Sequence, residues 1–261
     1  MRGYRLFILP QRSRHLWRLC LTAAVLSFPL SVGAEEDDSW GEEEDQGAAP
    51  AYTLNGFAEG AGSGRVLDDP TTRRDFVLGE ARFRLEARHE RELATLSFKG
   101  DFVADSVTDS VEIDLREAVV DVNLARWLNL RLGRQVLTWG TGDLLFLNDL
   151  FPKDWQSFLI GRDDEFLKAP SNTLKVSLYS RAVNLDLVWT PIFAPDRYIT
   201  GERLSFFSPM AGGIVGGGVL VEPDAPPLQL RTGEVAARVH RRFGSVEAAA
   251  YGYYGFFQQP L

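Results

Sequence analysis

Ten residues, most of them two or four positions apart, carry most of the chemistry open to this chain. Arg82, Arg84 and Arg88 alternate with apolar neighbours. So do Lys99 and Asp101, Glu117 and Asp121, Arg131 and Gln135, and, much later, Arg238. In an extended backbone every second side chain shares a face, so these spacings gather charges of both signs on one surface. Their chemistry is electrostatic. Opposite charges on neighbouring strands pair across a sheet and set up a transverse field that polar solutes would have to cross. The same charges could equally do no more than satisfy one another and stiffen the wall. Glu59, Glu80, Glu86, Lys175, Asp186, Glu234 and Glu247 extend the set.

No catalytic constellation competes with this reading. Outside the first 34 residues the histidines are His89 and His240; both fall at expected turns, and neither has a nucleophile motif such as G-x-S-x-G beside it. The one cysteine, Cys20, sits near the N-terminus, so the remainder has no thiol nucleophile, thiol ligand or disulfide. There is no P-loop, no dinucleotide-binding glycine pattern and no zinc spacing. The chain is therefore expected not to be an enzyme, and to need no cofactor or metal.

The elements that must position the charges are long alternating strands. Residues 76–89 form the clearest: Val77, Gly79, Ala81, Phe83, Leu85 and Ala87 on one face, Leu78, Glu80, Arg82, Arg84, Glu86 and Arg88 on the other. Residues 93–104 alternate in the same way, and the two make a hairpin of strands about twelve residues long, near the length of a bilayer-crossing strand. Further strands are expected at 52–62, 112–124, 128–138, 173–179, 183–190, 234–240 and 246–256, nine in all. The turns near Glu90, Arg126, Arg181 and Phe243 have three or four residues. The loops near Gly64, Ser106, Asp149 and Gly213 have roughly seven to forty. Short turns at one end and long loops at the other are the outer-membrane barrel pattern. On that pattern Trp127 and Phe243 mark a periplasmic interface, and Trp189, Tyr254 and Phe256 an outer one.

The totals agree with an exported barrel. Among 261 residues, 45 % are apolar and 25 % charged, an ordinary balance that hides an apolar face present only at every second position. Arg2, Arg5, Arg12, Arg14 and Arg18 precede a short apolar run, and Val32-Gly33-Ala34 supplies small residues, so residues 1–34 read as a signal peptide cleaved after Ala34. A retained anchor is the other reading, but the apolar run is too short to span a bilayer. Loss of this segment leaves 23 basic and 36 acidic residues. Eight of the acids lie in EEDDSWGEEED at 35–45, and residues 35–51 read as a disordered acidic tail rather than a metal site. The rest is mildly acidic, which argues against nucleic acid as a partner.

Residues 52–261 are thus expected to form an all-β, transmembrane, antiparallel up-and-down barrel in a Gram-negative outer membrane. Nine strands is an odd number, and a terminal aromatic is missing, so the barrel is expected to be the N-terminal part of a larger one. The loop that follows strand 128–138 carries Asp143, Asp149 and Trp155, with Leu144, Leu145, Phe146, Phe151 and Phe158. These apolar residues would be costly in water, so the loop either folds inward as a constriction or packs on the barrel rim. A soluble β-sandwich that binds a ligand would also alternate, and a structural or adhesion barrel would use its external loops.

At Gly133-Arg134-Gln135, followed by Trp139-Gly140 and the loop acids Asp143 and Asp149, the sequence resembles the alginate-export family and related porin-like channels of Gram-negative outer membranes. The resemblance covers residues 76–191. It implies a monomeric barrel of more strands than this chain supplies, and in some members a basic lumen suited to polyanions. The lumen face derived above is of mixed charge, so a polyanion does not carry over. The expectation is a channel for passive diffusion or export of small polar or anionic solutes, with outer-membrane lipid as its other partner.

Overall fold

A computed structural model describes residues 26–31 (backbone), 52–72, 75–139, 149–209, 211–216, 226, 229 and 232–258. Ten strands form one antiparallel sheet: β1 (Leu26–Ser31), β2 (Tyr52–Gly64), β3 (Phe76–Glu90), β4 (Ala94–Asp105), β5 (Ser110–Ala125), β6 (Leu128–Gln135), β7 (Ser171–Leu178), β8 (Asn184–Thr190), β11 (Glu234–Phe243) and β12 (Val246–Tyr254). Each pairs with the next in this order. A separate two-stranded hairpin, β9 (Phe206–Ser208) and β10 (Gly213–Val215), lies in the connection between β8 and β11. A one-and-a-half-turn helix, α1 (Trp155–Ile160), and a single 3-10 turn (Asp164–Leu167) lie between β6 and β7.

All nine expected strands are present, with ends shifted by a few residues; β6 stops at Gln135 rather than Thr138. The tenth was not expected. Leu26–Ser31 lies inside the segment read as a signal peptide, and it pairs with residues Asn55–Gly60 of β2. The all-β, up-and-down class holds, but among the described residues β1 and β12 are edges that pair with no further strand, so the sheet is not closed. The β3–β4, β5–β6, β7–β8 and β11–β12 turns lie at one end of the sheet. At the other end the β2–β3, β6–β7 and β8–β11 connections are long, but β4–β5 is joined by residues 106–109 alone, a tight turn where a longer loop was expected.

Burial is reversed from that of a water-soluble sheet. Along β3 and β4, Arg82, Arg84, Asp101 and Asp105 are buried while Phe83, Leu96, Phe98 and Phe102 are exposed. Along β8, Asp186 and Thr190 are buried while Leu187 and Trp189 are exposed. Trp127 and Phe243 at the turn end, and Trp189, Tyr254 and Phe256 towards the loop end, are exposed aromatics. Among the described residues no second sheet covers the apolar face.

Two local features shape the charged face. The β4–β5 register shifts between Lys99 and Gly100, because Lys99 pairs with Glu117 and Gly100 with Leu115. Arg116 is the extra residue of a bulge. It lets Arg116 and Glu117 both serve the charged face and puts Asp114 opposite Asp101. In β6, Gly133 has φ +133°, and a Cβ there would stand 2.1 Å from the Ala118 carbonyl oxygen, so only glycine fits.

Candidate functional site

The site is the loop end of the charged face, where the β6–β7 connection folds down onto the sheet. Its centre is a fork. Arg84 donates from Nε to Asp101 Oδ1 at 2.6 Å and from Nη2 to Oδ2 at 2.8 Å. Arg82 Nη1 donates to the same Oδ2 at 2.8 Å, and its Nη2 to Glu80 Oε2 at 3.2 Å. The residues come from β3 and β4, whose pairing places Arg84 directly opposite Asp101. Buried charges survive only when paired and hydrogen-bonded, and each of these is.

The connection brings a second layer. Asp154 caps α1 by accepting from the Ser157 amide at 2.8 Å, and Gly161 ends the helix in the left-handed conformation. The two legs of the loop are pinned together, with Asp154 N donating to Leu167 O at 2.8 Å and Ala169 N to Pro152 O at 3.0 Å. Arg162 then reaches Glu80 from above, donating from Nε at 3.1 Å, and Glu165 pairs with Arg84. Phe166 lies on the wall itself. The guanidinium carbons of Arg82, Arg84 and Arg116 stand 4.0, 5.0 and 5.1 Å from its ring centroid. Each is within cation–π range. Arg116 Nη2 also donates to the Glu165 and Lys168 carbonyls, at 2.7 and 3.0 Å.

A third layer comes from the β8–β11 connection. Arg197 forms a fork with Asp114, at 2.8 and 3.0 Å, and reaches Asp154 at 3.4 Å. Burial alone would lower the Arg197 pKa; the hydrogen bonds and charges of Asp114 and Asp154 together outweigh it and hold the group above its ordinary value. Arg203 pairs with Asp105, stands 3.5 Å from Glu80, and donates to the Val77 carbonyl at 2.9 Å. Nearby, Asp69 accepts from the Thr71 amide at 2.8 Å and from Ser205 Oγ at 2.6 Å. Burial would raise its pKa, but these bonds hold it below the ordinary carboxylate value.

Most of the residues singled out in the sequence line this face. Arg82, Arg84 and Asp101 form the centre. Further from the loop end, Lys99 meets Glu86 at 2.9 Å, Arg131 meets Glu117 at 2.9 Å, Lys175 lies 3.8 Å from Asp186, and Arg238 pairs with Glu247. Asp121 accepts from Asn129, and Gln135 Nε2 donates to Thr173 Oγ1 at 2.7 Å. Arg88 stands apart at the turn end, exposed and paired with Glu90.

The loop candidates fare differently. Asp143 lies outside the described residues. Asp149 is half-buried, and burial, only partly offset by Lys153, raises its pKa. Trp155 opens α1 and donates from Nε1 to Asp196 Oδ2 at 2.7 Å. Its amide also donates to the Arg197 carbonyl at 2.9 Å. The loop side chains seated on the charged wall are Arg162, on Glu80, and Glu165 and Phe166, on the arginines; the sequence did not single them out. Phe151 packs with Leu137, Trp139, Val188 and Ala236 in a small apolar cluster.

Beside these layers lies a cavity of about 900 Å³, lined by Arg116, Arg134, Arg197, Gln156, Asn172 and Tyr198 among others. The chain matches no known protein family, no curated protein and no solved structure.

Proposed function

We propose that the chain builds the wall of an outer-membrane channel through which small polar or anionic solutes pass. The observation that carries this reading is the reversed burial: Arg84 and Asp101 sealed in, Phe83 and Phe102 turned out. Water offers nothing to hold such an arrangement together, whereas lipid rewards the apolar face and a wet interior rewards the charged one. Exposed aromatics towards both ends of the strands suit the two membrane interfaces. The two unpaired edges suit a wall completed by further strands, since open edges do not persist in lipid. The loop carrying Phe166 narrows the interior as a constriction. The reading as a porin-like relative of alginate exporters rests on the resemblance over residues 76–191 alone.

Export through a cleaved leader belongs to the same reading. Cleavage after Ala34 would remove β1 and leave the edge of β2 to another partner, so N-terminal sequencing of the exported protein decides between the two pairings. Membrane fractionation with gels of heated and unheated samples tests the whole proposal. Outer-membrane location with heat-shifted migration supports it; a soluble protein whose migration does not change with heating sinks it.

A further inference from the structure

The arginines of the central fork are fully engaged, but those facing the cavity are not equally so. Arg82, Arg162 and Arg203 each meet a carboxylate closely, and Arg197 takes both oxygens of Asp114. Arg116 stands only 3.5 Å from Asp114 and otherwise bonds to backbone carbonyls. Arg134 is still less satisfied: its Nε donates to the Leu115 carbonyl, and its charge lies in the field of Arg197 and Asp114. Three guanidinium groups therefore gather about one carboxylate, Asp114, with Asp154 shared between Arg197 and the α1 cap. Glu112 and Glu202 also line the cavity and are exposed to solvent, and the buried Asp196 beside it accepts from the Lys153 amide at 2.9 Å and from Trp155 Nε1 at 2.7 Å.

We propose that this cavity binds a small organic carboxylate, with Arg134 and Arg116 as its principal partners. A planar guanidinium matches a carboxylate with two parallel hydrogen bonds, and the missing partner of this cluster is an anion of that shape. About 900 Å³ suits an organic acid rather than a bare halide. The amide side chains of Gln156 and Asn172 and the hydroxyl of Tyr198 line the same space and supply hydrogen bonds to hydroxyl or carbonyl groups of the ligand. The inward loop, held over the wall by Phe166, limits the site to short molecules. The ligand class deepens the channel reading and rests on it, since the cavity opens on the face proposed to be the lumen.

The test uses the full-length protein in detergent or lipid. Succinate binding is measured by calorimetry against sodium chloride at equal ionic strength, for wild type, Arg134→Gln, Arg134→Lys and Arg88→Gln. Heat-shifted migration checks that each variant folds. Saturable succinate binding is expected in wild type and Arg88→Gln. It should weaken about tenfold or more in Arg134→Gln, the loss of charged hydrogen bonds, and be partly kept in Arg134→Lys. Displacement by chloride at equal ionic strength, or equal binding by folded Arg134→Gln, overturns the site. Conductance in potassium chloride tests the channel separately: conductance without succinate binding sinks the site alone, and binding without conductance sinks the channel alone.

Discussion

Arg84 and Asp101 face each other across β3 and β4 in a two-pronged ion pair, and both side chains are sealed, at 1 % and 0 % exposed. One residue away on each strand, Phe83 and Phe102 stand 6.3 Å apart on the opposite face, 42 % and 47 % exposed. The sheet keeps its charges and shows its aromatics.

Removing Asp101 takes the central carboxylate from two guanidinium groups at once, leaving Arg82 with Glu80 and Arg84 with Glu165. Asp101→Ala should cost about 3–5 kcal/mol, the usual penalty for breaking a buried pair by removing one partner. The exposed Arg88–Glu90 pair gives the contrast, since Arg88→Ala should change stability by less than about 1 kcal/mol. Urea unfolding of the lipid-reconstituted protein measures both.

On the apolar face the sign of a charge substitution separates lipid from water. Phe102→Arg should impair outer-membrane assembly and cost ~2–4 kcal/mol if the position lies near mid-bilayer. Were the face in water, the same change would leave stability nearly untouched and raise solubility. The yield of folded, heat-shifted protein from membranes distinguishes the two.

Phe166 pins the inward loop by lying against three arginines. Phe166→Ala, and Arg162→Ala, which breaks the contact with Glu80, should loosen the loop and raise single-channel conductance while the sheet stays folded. Unchanged conductance in both variants would mean that the loop does not narrow the path.

Asp69 predicts acid sensitivity at the loop end. Its pKa is held below the ordinary 3.8, so its bonds to Thr71 and Ser205 contribute fully above that value and are lost as pH falls through the lowered one. Protection of the Thr71 amide, its exchange rate measured against the intrinsic rate at each pH, should fall below about pH 3.8 in the wild type. In Asp69→Asn the protection should be lower at neutral pH and change little with acidification.

The strands were legible because period two is a strong signal when both faces are uniform, as in Arg82 to Arg88 and Leu96 to Phe102. The same rule failed at β5. Counting in twos from Glu117 puts Asp114 on the apolar face, yet the bulge at Arg116 returns it to the charged one. An acid and an arginine out of phase between apolar neighbours were the available sign. Arg162, Glu165, Phe166, Arg197 and Arg203 had no periodicity to expose them. They reach the wall from connections whose course is set by tertiary contacts: the Asp154 cap, the Gly161 helix end and the carbonyls that hold Arg116. Leu26–Ser31 was hidden by its setting, since an apolar run behind five arginines reads as a leader whether or not it can pair as a strand.

The most direct test of the central claim is a spin-label scan of β4 from Leu96 to Ala104, reconstituted in lipid vesicles. Single cysteines are placed one at a time, with Cys20 replaced if it is retained. The account predicts alternation: labels at positions 96, 98, 102 and 104 relax with oxygen dissolved in the bilayer, and those at 97, 99, 101 and 103 do not. Labels on the apolar positions that relax instead with a water-soluble nickel chelate would contradict it.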